Sequence, residues 1–87
     1  MSRRRAPAPR PSADKDTYHV LDPKGVQIGT KTEAAHALVF AHRAAEQYPT
    51  EVVLTVERRT LFGPAVALYR VTRDEGGTVF TNANRED

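Results

Sequence analysis

Thr30-Lys31-Thr32-Glu33-Ala34-Ala35-His36-Ala37-Leu38-Val39-Phe40-Ala41-His42-Arg43-Ala44-Ala45-Glu46-Gln47-Tyr48 carries the one long helical period of the chain. Ala34, Leu38, Ala41, Ala45 and Tyr48 advance in alternating steps of four and three, with Ala37, Phe40 and Ala44 widening the stripe. That spacing holds apolar side chains on one face of a helix. Thr30-x-x-Glu33 has the form of a capping box, so the helix is expected to open there and to stop before Pro49. So many alanines on the buried stripe imply a helix lying close against a sheet. Val39 projects away from that stripe, beside Ala35 and His42, either as a small second contact surface on the helix's back or as a single exposed valine that needs no partner.

Outward from the helix, the chain alternates as strands do. Tyr18 and Val20, then Val26 and Ile28, flank Asp22-Pro23-Lys24-Gly25, where Pro presets φ and Gly takes the left-handed conformation of a three-residue hairpin loop. Strands are expected over 17–22 and 26–29. After the helix, Glu51 to Thr60 and Ala65 to Arg73 are rich in β-branched and aromatic residues, joined by Leu61-Phe62-Gly63-Pro64. Pairing Thr60 with Ala65 sets Val56 opposite Tyr69 and Leu54 opposite Val71, which gives one consistently apolar face. Asp74-Glu75-Gly76-Gly77 then turns the chain into a last strand, 78–81, with Phe80 expected on the apolar face opposite Val71 and Val79 on the outer one. The expected fold class is α+β, an antiparallel four- to five-stranded sheet with one helix packed on one face, in the order β-β-α-β-β-β. The expected organisation is a basic Pro/Arg arm without fixed structure at 1–15, a single domain at 16–82 and a frayed end at 83–87.

Charge divides the chain at the same boundary. Residues 1–13 hold four arginines and no acid, and the remainder holds nine Lys+Arg against eleven Asp+Glu, so +4 and −2 make the net +2. Pro7, Pro9 and Pro11 favour an extended arm, and they occupy the place where a secretory leader needs its apolar run. About 70 residues remain for a core, near the lower limit for folding on hydrophobic burial alone. With no cysteine, neither disulfides nor thiolate ligands assist, which suits a cytoplasmic setting.

Nothing in the sequence assembles as catalytic machinery. His36 and His42 stand about 120° apart around a helix, whereas metal ligands need a shared face at i, i+3 or i+4. His19 sits on a strand without an acidic partner. No Ser-His-Asp set, phosphate-cradling glycine run or catalytic carboxylate pair assembles, and Asp74-Glu75-Gly76-Gly77 is turn chemistry, so no enzyme, cofactor, metal or small-molecule substrate is expected. Two surfaces stand out instead. The arginines Arg3, Arg4, Arg5 and Arg10 can neutralise phosphates or an acidic partner patch. With the register above, the outer sheet face carries Val53, Val66, Leu68 and Val79, which with Phe62 at the hairpin tip suggest a protein interface. The expected role is a small accessory binding protein that docks a protein partner or a second copy of itself through the sheet, while the arm contacts nucleic acid or another acidic surface. The alternative is a direct DNA or RNA reader using Arg58, Arg59, Arg70, Arg73, Thr55 and Phe62. A virion or assembly component also suits an extended arm.

Tyr18-His19-Val20, the Thr30-to-Ala34 opening of an alanine-rich helix, and Val52-Val53-Leu54 together resemble small bacterial and phage domains with a β-β-α-β-β layout. These are similar in turn to the sheet-and-helix modules of AP2 and integrase arm-binding domains. The resemblance covers residues 18–56 at most. It implies a sheet able to dock on DNA, in a chain that adds a third C-terminal strand and whose body is not basic.

Overall fold

The computed structural model describes residues 16–84, so the arm arginines and the last three residues lie outside it. The elements are β1 (Thr17–Leu21), β2 (Gln27–Lys31), α1 (Ala34–Glu46), β3 (Val52–Arg59), β4 (Val66–Arg73) and β5 (Val79–Ala83). All neighbours pair antiparallel in one five-stranded sheet of order β2-β1-β3-β4-β5, and α1 lies across one face in contact with every strand. The expected α+β architecture is therefore the one observed. β1 sits between β2 and β3, so the helix is the connection that carries the chain over β1.

Strand alternation and the alanine stripe meet in a small core. Val20 of β1, Val52, Leu54 and Val56 of β3 and Val71 of β4 are buried against Ala37, Ala41 and Ala45 of α1. Successive residues of a strand face opposite ways, so every second residue of β3 reaches the helix. The alanines keep the helix close, and Tyr18, Ile28, Leu38, Phe40, Tyr48, Tyr69 and Val79 seal the margins. Leu54 is the largest fully buried side chain, which shows how little volume the core has to work with.

Two hairpins use one turn design. In the first, the Asp22 N–H donates to the Val26 carbonyl (2.9 Å), the Gly25 N–H to the Asp22 carbonyl (2.9 Å) and the Val26 N–H to Asp22 Oδ1 (2.8 Å). In the second, the Asp74 N–H donates to the Thr78 carbonyl (2.9 Å), the Gly77 N–H to the Asp74 carbonyl (3.1 Å) and the Thr78 N–H to Asp74 Oδ1 (2.8 Å). Gly25 and Gly77 sit at φ of 85° and 94°, the left-handed region that closes such a loop without a Cβ clash. The aspartate satisfies turn amides that would otherwise lack a partner.

Several sequence expectations change. Thr30 and Lys31 extend β2 opposite His19 and Tyr18, the N-cap is Glu33, and the Glu33 side chain makes no capping hydrogen bond among the described residues. Ladder bonds to β1 thus outcompete the expected capping box. Asp74 belongs to the flanking pair of a three-residue loop, and this shifts β5 by one residue. Thr81 lies opposite Val71, Phe80 opposite Thr72 and Val79 opposite Arg73. Because a one-residue slip reverses a strand's faces, Val79 packs on the core and Phe80 points outward, the reverse of the expectation. The β3–β4 register agrees with expectation at Leu54↔Val71 and Val56↔Tyr69, then changes at a bulge that leaves Leu68 without an opposite residue. Order also continues past Asn82, since Ala83 pairs with Tyr69.

Candidate binding surfaces

The helix covers only one side of the sheet. By register the other side carries Thr17, His19 and Leu21 of β1, Val53, Thr55, Glu57 and Arg59 of β3, Arg70 and Thr72 of β4, and Phe80 and Asn82 of β5. Its β1–β2 half is held by hydrogen bonds between side chains. His19 joins Thr17 Oγ1 through Nε2 (2.8 Å) and Gln27 Oε1 through Nδ1 (2.7 Å), and Gln27 Nε2 donates to Thr30 Oγ1 (2.6 Å). In the middle, Arg59 donates to Glu57 through Nε and Nη2, both at 2.6 Å, which offsets one positive charge of the face.

The β3–β5 corner is different. Val53, Thr72 and Phe80 form one row across three strands, with Val53 43% and Phe80 42% exposed. Beside them Arg70, Asn82 and Asn84 border a shallow hollow that also touches Val53 and Thr72. Asn84 anchors this edge: its N–H donates to the Leu68 carbonyl (2.7 Å) and its Nδ2 to the Ala67 carbonyl (3.1 Å). The Ala67 and Leu68 carbonyls thereby gain donors and the end of the last strand is pinned.

Of the expected interface residues, Val53 lies on the outer face as expected and Phe62 is 83% exposed at the β3–β4 tip. Val66 lies opposite Arg58 on the helix side, Leu68 occupies the half-buried bulge and Val79 joins the core margin. These three do not form the apolar outer patch that the straight register implied. The physical reasons are the bulge at Leu68 and the loop length after Asp74. Phe80, which the expected register places on the helix side, takes Val79's place.

The body arginines are divided in the same way. Arg59 and Arg70 are exposed on the outer face, whereas Arg58 pairs opposite Tyr18 on the helix side, with its Nε buried and without a hydrogen-bond partner among the described residues. Arg73 lies opposite Val52 and donates from Nη1 to the Asp74 carbonyl (3.1 Å). The four therefore do not form one cationic surface. Arg3, Arg4, Arg5 and Arg10 fall outside the described residues.

His36 lies 3.7 Å from Glu33 and His42 3.8 Å from Glu46, both pairs exposed on the helix surface. Among the described residues no group of three His, Cys, Asp or Glu could hold a metal ion, and no helix is long and apolar enough to cross a membrane. No family model, curated protein or solved structure matches the chain.

Proposed function

We propose that the protein is a small, non-enzymatic accessory binding protein of the cytoplasm. Its outer sheet face docks on a protein surface, and its arginine arm reaches an adjacent acidic surface such as nucleic acid. The observation that carries this reading is the exposed Val53-Thr72-Phe80 row on a sheet face that the chain's only helix, among the described residues, leaves uncovered. Apolar side chains at the centre of a patch, bordered by Thr, Asn and Arg groups able to hydrogen-bond, are the composition of a docking surface rather than of a solvated face.

A second copy of the chain is the partner that the charge balance favours. Glu57 offsets Arg59 on that face and Arg70 lies opposite Thr55, so one net positive charge remains and two copies can meet without strong mutual repulsion. Two such faces stack as sheets do, about 10 Å apart with side chains interleaved. The arm then adds reach without adding specificity.

The test compares the full chain with one that begins at Asp14, measuring solution mass together with binding to random duplex DNA across a salt series. If all four arm arginines neutralise phosphates, the slope of log K against log salt is no steeper than roughly −3.6. The proposal expects that binding to vanish on truncation while self-association persists. A truncated body that still binds DNA with sequence preference overturns it in favour of direct reading, for which the row Thr55, Arg70 and Asn82 on the outer face is the supporting feature.

A further inference from the structure

Among the described residues β2 is an edge strand with a neighbour on one side only, and beside it α1 overhangs a groove of about 530 Å³. Its lining falls into two groups. Val39, Phe40 and Ala44 supply an apolar floor, and Lys31, Arg43 and the His36 imidazole line the rest with no carboxylate among the described lining residues. Lys31 Nζ sits 5.3 Å from the centre of the Phe40 ring, and neither Lys31 nor Arg43 makes an ion pair with a described carboxylate. The Phe40 ring lies directly on the Gly29 backbone, where there is no room for a Cβ. The groove floor therefore abuts the strand edge.

We propose that this groove binds an extended acidic peptide segment, which adds to β2 as a further strand. Main-chain groups on the free edge of β2 supply affinity for any strand, and the groove selects its side chains. Residues two apart on the added strand face the helix together. Gly29 and Lys31 both point to that side, by their pairing with Val20 and Tyr18. The added strand thus presents an apolar residue beside Gly29, against Phe40 and Val39, and two positions along it a carboxylate beside Lys31 and Arg43. The signature is an apolar residue and an Asp or Glu two positions apart, the apolar residue first if the added strand runs parallel to β2 and the acid first if it runs antiparallel. Charge excludes the other two strand donors at hand: a second copy would set its own Lys31 and Arg43 against these, and the arginine arm would be repelled. The site lies on the opposite side of the sheet from the proposed docking face and stands independently of it.

The test titrates the isotope-labelled full chain with an acetylated, amidated octapeptide of alternating threonine, with valine and glutamate taking turns between. A second titration uses the same peptide with lysine for glutamate. The expected result is movement of the amide signals of Gln27 to Lys31 and of Val39, Phe40 and Arg43 at several-fold lower concentration of the glutamate peptide than of the lysine peptide. Lys31→Glu and Arg43→Glu are each expected to weaken that binding by about two- to fivefold, with the remaining amide signals unmoved as proof of folding. Equal binding of the lysine peptide, movement confined to Val53, Thr72 and Phe80, or no movement at millimolar peptide would each overturn the proposal.

Discussion

Gly29→Ala tests whether the helix is seated on the backbone of β2. A Cβ built at Gly29 lies 2.5 Å from Phe40 Cε1, 2.8 Å from Cζ and 2.9 Å from Cδ1, whereas carbon atoms in ordinary contact stand about 3.5–4.0 Å apart. The ring must retreat by roughly 1 Å and give up part of its packing on the core margin, and overpacking of this kind costs about 1–3 kcal/mol. Replacing glycine within a strand returns about 0.5–1 kcal/mol of backbone entropy, and Gly29 has no positive φ to oppose it. The net expectation is a loss of about 1 kcal/mol, read as a fall of roughly 4–8 °C in Tm for a domain of this size. In a Phe40→Ala background the obstacle is gone, so the same change is expected to stabilise by about 0.5 kcal/mol. Urea titrations of the four proteins, followed by circular dichroism, complete the cycle. Equal effects in both backgrounds, or a stabilising effect in the wild-type chain, would refute the seating of Phe40 on Gly29.

Other parts of the fold give sharper single outcomes. Leu54→Ala, at the largest fully buried side chain, is expected to cost about 2–5 kcal/mol, enough to leave much of the population unfolded by circular dichroism at 37 °C. Asp74→Ala removes the acceptor of the Thr78 N–H and is expected to cost about 1 kcal/mol in urea, with faster hydrogen exchange at Thr78 and its β5 neighbours. Arg58→Met removes a buried Nε donor that has no partner among the described residues; it is expected to be neutral or stabilising by up to about 1 kcal/mol, and a loss above 1 kcal/mol would show that the guanidinium has a structural role. The same variant is expected to leave binding to duplex DNA unchanged, whereas a direct reader that uses Arg58 would lose affinity.

The parts of the fold legible in the sequence are those governed by one local rule. The period of Ala34 to Tyr48 located the helix and its buried side, and alternation through Leu54, Val56, Tyr69 and Val71 set the central register, because each pattern repeats often enough to be read alone. The outer face was less legible because it depends on where single residues are inserted. The bulge at Leu68 is stabilised by Asn84, sixteen residues further on, and no local pattern announces it. The faces of Val79 and Phe80 were accessible in principle. Asp74-Glu75-Gly76-Gly77 repeats the aspartate-to-glycine spacing of Asp22-Pro23-Lys24-Gly25, and treating both as three-residue loops yields the observed β5 register. At Thr30 the capping signal competed with strand pairing, and two ladder pairs with β1 outweighed it.

The outward turn of Phe80 beside Val53 is where fold and proposed role meet, and sedimentation velocity of the full chain against its Phe80→Asp variant probes both together. The wild-type chain is predicted to shift with concentration toward twice its 9.6 kDa mass, and the variant to remain monomeric with unchanged circular dichroism. A wild-type chain that stays at 9.6 kDa up to millimolar concentration, or a variant that associates as well as the wild type, would contradict docking through this face.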